Sequence, residues 1–366
     1  MNRKLLALAV AVSVVLAAGC EDNMQRKRQE ARSRWAESRA EMLTRLATGC
    51  FKRGEMGRAR DSVDEALTGA PKYAPLYVLA ARLAFERGEP DEAAAYARSA
   101  KAIDPQSAEA EYVLGTIEQA LGHLEPARDA FSEAARVDPT GEAYVLAEAE
   151  LLVACNQVTV AAERLQAAIS RAPGRAASHV AYGDVLCMLD RYEEAVGSYR
   201  IGQRLDPKRE DIAERIAVAL FHSGAYAEAE QTLADLAESK TGTGSEWLRG
   251  MRAECLLALG RVAEARDQYA ALMRDRSDSI ELLIAMAKCD ILEDRPGPAR
   301  ARIEVALARQ PAHAEANALL GYLLIEGHRP GEAVSHLRLA LEDPAFPYRK
   351  TVELLLSRAS APGEVQ

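Results

Sequence analysis

Small apolar, large apolar and turn-forming positions recur in this chain at fixed distances from a series of prolines. Pro71, Pro105, Pro139, Pro173 and Pro207 follow one another in steps of 34 residues. Twelve residues before each stands an alanine: Ala59, Ala93, Ala127, Ala161 and Ala195. Twenty-four before stand Ala47, Ala81, Gly115, Ala149 and Gly183, all small. Seventeen before come Gly54, Gly88, Gly122, Asn156 and Asp190, the residue types that turn a chain between helices. Larger side chains such as Phe131, Leu165 and Tyr199 stand eight before; Val63 and Ala97 are smaller there, so looser packing is expected around them. A strict period of this length marks an internal repeat. Each copy predicts two antiparallel helices: small columns let them approach, and the large residue fills the space between.

The prolines lapse after residue 207, but the other columns continue. Ala217, Gly224 and Ala229 define a sixth copy, Ala253, Gly260 and Ala265 a seventh, and Ala287, Asp294 and Ala299 an eighth. Gly321 and Ala333 define a ninth, with its turn glycine one place early at Gly327. The step from the sixth copy to the seventh is 36, which places a two-residue insertion at about 240–246, as a hinge or as a longer loop.

This pattern resembles the tetratricopeptide repeat across residues 40–347. The resemblance implies an all-α fold, a right-handed superhelical α-solenoid of about nine helix-turn-helix repeats. A lone helix pair leaves one apolar side uncovered, so the pairs must stack and the ends must be capped. Residues 348–366 fit that need as a capping helix and a tail, with Val352, Leu355 and Leu356 on one side of the helix.

The start of the chain is of another kind. Arg3 and Lys4 precede the apolar run Leu5 to Leu16, after which Glu21 and Asp22 end the hydrophobic pattern. Twelve apolar residues fall short of the roughly 20 that span a bilayer, but they fit the core of a secretory signal. Leu16-Ala17-Ala18-Gly19-Cys20 resembles the bacterial lipobox, with its leucine one place further out. That resemblance implies loss of residues 1–19, lipid on Cys20, and a body held in the periplasm of the bacterial cell envelope by a membrane anchor. An ordinary secretion signal cut near the same residues is the alternative. Residues 20–39 then form a linker and helical extension, whose Arg26, Lys27, Arg28, Arg32 and Arg34 face either anionic headgroups, at ~1 kcal/mol per basic residue, or water.

Composition narrows the function. Fifty-five acidic against 46 basic residues give a net charge of −9, which excludes nucleic acid as the main partner. Aromatics make up only 5% of a chain rich in Ala, Leu, Glu and Arg, as in all-helical proteins. Cys50, Cys155, Cys187, Cys255 and Cys289 form no CxxC and lie at no metal spacing from a histidine, so they read as small buried hydrophobes. Cys255 and Cys289 share a column, but equivalent helices stack about 8–10 Å apart and a disulfide needs Cα atoms within about 7 Å. The six histidines match no catalytic motif, and the glycine loop at 241–245 lacks the Lys-Ser/Thr of a phosphate loop. The expectation is no enzyme, no metal and no cofactor.

What remains is surface. In the repeat family the ninth position of each first helix lines a concave groove, which here gives Thr48, Arg82, Thr116, Glu150, Asp184, Val218, Glu254, Lys288 and Tyr322. The fifth position adds Tyr112, Val180, Glu214 and Ile284. The middle of that series is acidic, with Arg82 and Lys288 towards its ends, and the paired Lys and Asn of a chaperone-tail clamp are missing. The implied partner is a protein or extended peptide of basic or mixed charge. The resulting functional expectation is a lipid-anchored interaction scaffold for a pilus, secretion, outer-membrane or polysaccharide machine. The alternative is a regulatory subunit that positions an enzyme on glycan or peptidoglycan.

Overall fold

Nine described residues hold a positive φ, between 55° and 80°, and they set where each helix pair folds back: Gly54, Gly88, Gly122, Asn156, Asp190, Gly224, Gly260, Asp294 and His328. This left-handed region suits glycine, which has no Cβ, and Asn and Asp tolerate it. The turn at Gly54 shows the pattern: its N–H donates to the Phe51 carbonyl at 2.9 Å, and the Glu55 N–H reaches back to the Cys50 carbonyl at 2.9 Å. Two carbonyls left open at a helix end are thereby satisfied. The last turn corrects the sequence reading. His328 takes the positive φ and donates to the Ile325 carbonyl at 3.0 Å, whereas Gly327 has an ordinary φ of −81°. The turn column therefore never slips in the ninth pair; a histidine fills it.

The computed structural model describes residues 3–68, 71–238, 246–276 and 279–360, with side chains from Met24 onward. Its described residues form helices and turns without strands, in two compact units, Met1–Leu189 and Asp190–Gln366. The N-terminal unit runs α1 (Arg3–Lys52), α2 (Met56–Leu67), α3 (Ala74–Glu86), α4 (Pro90–Ile103) and α5 (Ala108–Ala120). It continues with α6 (Leu124–Val137), α7 (Glu142–Ala154), α8 (Val158–Arg171) and α9 (Ala176–Met188). The C-terminal unit opens with α10 (Tyr192–Leu205), α11 (Asp211–His222), α12 (Tyr226–Glu238), α13 (Glu246–Ala258) and α14 (Val262–Asp275). It ends with α15 (Ile280–Leu292), α16 (Pro296–Arg309), α17 (Ala314–Glu326), α18 (Pro330–Leu341) and α19 (Arg349–Ser360). The insertion expected at 240–246 lies outside the described residues up to Ser245, and α12 and α13 on either side of it pack together. No described helix is long and apolar enough to cross a membrane.

The repeat columns are the core. All nine alanines from Ala59 to Ala333 are 0% exposed, and Gly115 and Gly321 of the other small column are buried too. At Gly115 a Cβ would sit 2.7 Å from the Phe131 ring, and at Gly321 2.6 Å from the Leu337 side chain, so any larger residue would have to displace them. Phe131, Leu165, Tyr199, Leu233, Tyr269, Ile303 and Leu337 are all buried between the helices. Each contributes about 1.5–3 kcal/mol by leaving water. Val63 and Ala97, the smaller members of that column, are buried as well. Cys50, Cys255 and Cys289 are buried free thiols, and Cys155 and Cys187 are half-buried.

Two places in the packing column four residues before each turn depart from the apolar rule. Leu152, Leu186, Leu220, Leu256 and Leu324 occupy it in five pairs, but Glu118 and Asp290 stand there in two others, both buried. Glu118 accepts from Arg98 Nη2 at 2.9 Å and pairs with His123 Nδ1 at 2.8 Å. These bonds, that of His123 foremost, hold its carboxyl below the usual value of 4.5. Asp290 is met by three guanidiniums, those of Arg266, Arg295 and Arg302. The C-terminal unit closes with α19, whose Val352 is 1% exposed and whose Leu355 and Leu356 pack on the same core as Leu320 and Leu337. Arg349 pins it in place, donating from Nη1 to the carbonyls of Leu341 at 2.6 Å and Asp343 at 2.8 Å at the end of α18.

Candidate partner-binding face

The first helix of each pair carries the groove positions, and the two units treat them differently. In the N-terminal unit Thr48 and Thr116 turn their hydroxyls back onto their own helices, donating to the carbonyls of Thr44 at 2.8 Å and Tyr112 at 2.9 Å. Tyr112 serves packing: its ring lies 5.7 Å from Phe131 and 5.4 Å from Tyr144 on the next pair. Arg82 bridges to Glu109 at 3.0 Å. Desolvation, with Glu109 and Asp138 nearby, pushes the Tyr144 hydroxyl above its ordinary range, so it stays a neutral donor. Glu150 is exposed on α7, and Asp184 is half-buried on α9. Val180, from the fifth position, belongs to the packed interior at 4% exposure.

In the C-terminal unit Glu214 is exposed and Val218 half-buried on α11, while Ile284 is core at 2% exposure. Lys288 on α15 meets Glu315 on α17, with Nζ 2.5 Å from Oε1. Glu254 on α13 feels both groups. Its side chain is exposed, yet the protein beside it raises its carboxyl above the usual range by partial desolvation; Lys288 opposes the rise, Glu315 adds to it and His222 opposes it. Tyr322 lines a cavity of about 290 Å³ together with Lys288, Glu315, Phe346, Tyr348 and Leu355. Apolar carbon dominates its wall, and the Lys288–Glu315 pair marks its edge.

Several members of this face were absent from the sequence reading. Glu109 and Glu315 each stand 27 residues after the basic groove residue they neutralise, Arg82 and Lys288. A search at that spacing, from the ninth position of one pair to the second of the next, finds both. Phe346, Tyr348 and Leu355 lie beyond the periodic part of the chain, so no column points to them. Cys20, the expected lipid site, has its side chain outside the described residues. No group of three or more His, Cys, Asp or Glu among the described residues could hold a metal ion.

Comparison with known proteins gives a consistent picture. The family model described as tetratricopeptide repeat matches residues 44–108, 146–210 and 189–243. Among solved structures the chain is similar to a tetratricopeptide repeat protein from Parabacteroides merdae, at 14% identity and a TM-score of 0.40, covering 78% of this chain and 98% of that one. It is similar to YrrB, described as a TPR protein with an unusual peptide-binding site, at 19% identity and a TM-score of 0.45, covering 52% of this chain and 97% of that one. It is also similar to PilW, a type IV pilus biogenesis factor, at 18% identity and a TM-score of 0.48, covering 56% and 96%. No curated protein matches the chain.

Proposed function

Since the chain is a tetratricopeptide repeat protein, built from units that serve as interaction scaffolds, we propose that it is an exported, lipid-anchored scaffold. On this reading its first-helix face holds a protein partner in a bacterial envelope assembly. The observation that carries the proposal is the unequal use of charge on that face. Arg82 and Lys288 are neutralised within the protein, while Glu150, Glu214 and Glu254 stand exposed. First helices that expose acids while their cations are already paired, as both units show separately, are suited to a partner that brings positive charge. Anchorage rests on the sequence alone: the apolar run, the small residues and Cys20.

Two measurements test the proposal. Crosslinking of the full chain in an envelope extract should capture a protein, and the triple change Glu150→Lys, Glu214→Lys and Glu254→Lys should abolish or exchange that partner. Capture that is unchanged in the triple variant removes the acidic face from the account. Radiolabelled palmitate should enter the wild-type chain in a bacterial host and be lost in Cys20→Ala; equal label in both disproves the anchor.

A further inference from the structure

Met42 and Leu46 on α1 stand where Leu76 and Ala80 stand one repeat later. Leu76 and Ala80 are buried, at 0% and 3% exposure, because they pack in one cluster with Val63 and Ala66 of the pair before them. Among the described residues no pair precedes α1, and Met42 and Leu46 are 67% and 51% exposed. The same face continues towards the N-terminus, where every residue from Met24 to Trp35 is exposed. Arg28, Arg32, Trp35, Arg39, Met42 and Leu46 follow one another at spacings of four and three, which on a helix is a single stripe. The acids Glu30, Glu37 and Glu41 each stand two residues after a stripe member, hence about 200° round the helix from it. The Arg39 guanidinium lies 5.5 Å from the centre of the Trp35 ring and is itself held by Glu65 of α2, so one face of the indole is fixed and the rest stays open.

Charge selects what can cover this stripe. Residues 24–36 hold five basic side chains, Arg26, Lys27, Arg28, Arg32 and Arg34, against the single acid Glu30, in a chain of net charge −9. All five are exposed, and the first basic residue with an ion pair among the described residues is Arg39. A second copy of the chain fits poorly, because a two-fold pairing sets one basic patch on another. Trp35, Met42 and Leu46 also fall far short of the roughly 800 Å² per partner that a stable dimer buries. A bilayer asks for less. Tryptophan settles between headgroups and hydrocarbon, and arginine pairs with phosphate oxygens. A helix rising straight from Cys20 would carry Arg34 about 21 Å from the surface, beyond the Debye length of about 8 Å at physiological salt. Lying flat brings the whole stripe within reach.

We propose that this face of α1 is a lipid-docking surface: Arg28 and Arg32 bind the phosphates of anionic phospholipid, while Trp35, Met42 and Leu46 enter the headgroup layer and lay the helix along the bilayer. The assignment deepens the anchored-scaffold reading above, since it says how the body is set on the membrane that Cys20 is expected to hold. Thr48, the groove position of α1, stands two residues after Leu46 and so points away from the stripe. Docking therefore leaves the partner-facing side open.

The test uses the full chain as Cys20→Ala, so that no lipid is attached, with Trp247→Phe, which leaves Trp35 as the sole tryptophan. Vesicles of phosphatidylglycerol mixed into phosphatidylcholine should shift the Trp35 emission to the blue and carry the protein down on sedimentation, less so as salt rises. Vesicles of phosphatidylcholine alone should do neither. Arg28→Gln with Arg32→Gln should lower the affinity about 25-fold, at roughly fivefold for each basic residue near the surface. Both positions are exposed, and unchanged circular dichroism is the folding control. Arg171→Gln with Arg204→Gln, the same change of net charge elsewhere, should bind as the parent does. The proposal is overturned if phosphatidylcholine alone binds as tightly as the mixture, or if Arg28→Gln with Arg32→Gln binds as the parent does. A Trp35 shift that follows protein concentration without vesicles assigns the face to a second copy and overturns it too. Palmitate on Cys20 with no effect of the arginine changes removes the docking surface and keeps the anchor. Equal palmitate label in wild type and Cys20→Ala, with binding to the anionic vesicles intact, does the reverse.

Discussion

The N-terminal unit and the C-terminal unit share their alanine, small-residue and turn columns, yet they differ where a charge or an aromatic ring replaces the usual residue. On the N-terminal face Arg82 meets Glu109 one for one, and Tyr112 stacks between Phe131 and Tyr144. On the C-terminal face Lys288 meets Glu315, Glu254 stands exposed, and the aromatic rings of Tyr322 and Tyr348 border a cavity. Inside the helix pairs the contrast runs the same way. Glu118 is held by groups that keep much of their water, while Asp290 gathers three arginines that are mostly out of it. The difference teaches that the repeat fixes the packing and leaves the variable positions free to stack against neighbouring rings in one unit and to border a cavity in the other.

Removing Glu118 and Asp290, the two acids of the leucine column, should give the largest contrast. Asp290→Ala leaves Arg266, Arg295 and Arg302 converging without their main acceptor, only Glu293 remaining near two of them. Breaking such a buried network costs about 3–5 kcal/mol. Glu118→Ala strands Arg98 and His123, whose side chains are 61% and 58% exposed and can turn to water. It should cost about 1 kcal/mol. Urea denaturation of the two variants checks this, and equal losses would remove the distinction between the networks. The smaller effect should also depend on pH. The Glu118 carboxyl titrates below its unfolded value of 4.5, so its stabilisation is present above that pH. It fades as pH falls through the folded value, and the gap between wild type and Glu118→Ala should close in acid.

An intermediate contrast comes from the glycines under the two large side chains. Alanine is favoured over glycine in a helix by about 1 kcal/mol, so Gly115→Ala and Gly321→Ala would stabilise if space allowed. It does not: the new Cβ would stand 2.7 Å from the Phe131 ring and 2.6 Å from Leu337. Phe131 is flat, rigid and backed by Tyr112, so Gly115→Ala should destabilise by about 1–3 kcal/mol, the range for overpacking. Leu337 can change rotamer, and Gly321→Ala should cost about 1 kcal/mol or less. A larger loss at Gly321 than at Gly115 in thermal melts would show that ring rigidity is not what decides.

Most of the architecture was legible because it repeats. A column of nine alanines, a column of turn residues and a column of large apolar residues each carry one packing requirement, and the structure meets them with buried Ala59 to Ala333 and the αL turns. The face was only partly legible. Position within a helix pair indicates which residues can reach the open side, but the state of Arg82 and Lys288 depends on acids 27 residues on, in the next pair. The cavity was invisible for a different reason. It needs Ala318 from inside the periodic region and Phe346, Tyr348 and Leu355 from outside it, and no period joins the two. Glu118 and Asp290 were equally hidden, since each interrupts a leucine column with a charge whose partners lie on neighbouring helices.

The smallest effect concerns the turn that the sequence misassigned, and it separates the units again. Three of the four turns numbered 54–156 have glycine at the positive-φ position, against two of the five numbered 190–328. His328, at φ 59°, has a Cβ where the backbone leaves it least room. An L-residue in this region bears roughly 1–2 kcal/mol, offset by the roughly 0.4–1 kcal/mol of chain entropy that glycine adds to the unfolded state. His328→Gly should therefore stabilise the protein by about 0.5 kcal/mol. Gly88→Ala, which forces a Cβ into φ 77°, should destabilise by about 1 kcal/mol. Glycine at 327 gives the control: its φ of −81° suits any residue, so Gly327→Ala relieves or strains nothing in the turn dihedral, and only the carbonyl of Leu323 at 3.1 Å opposes the new Cβ. If His328→Gly lowers the melting temperature and Gly327→Ala lowers it more, the turn belongs to Gly327 and the unbroken column is wrong.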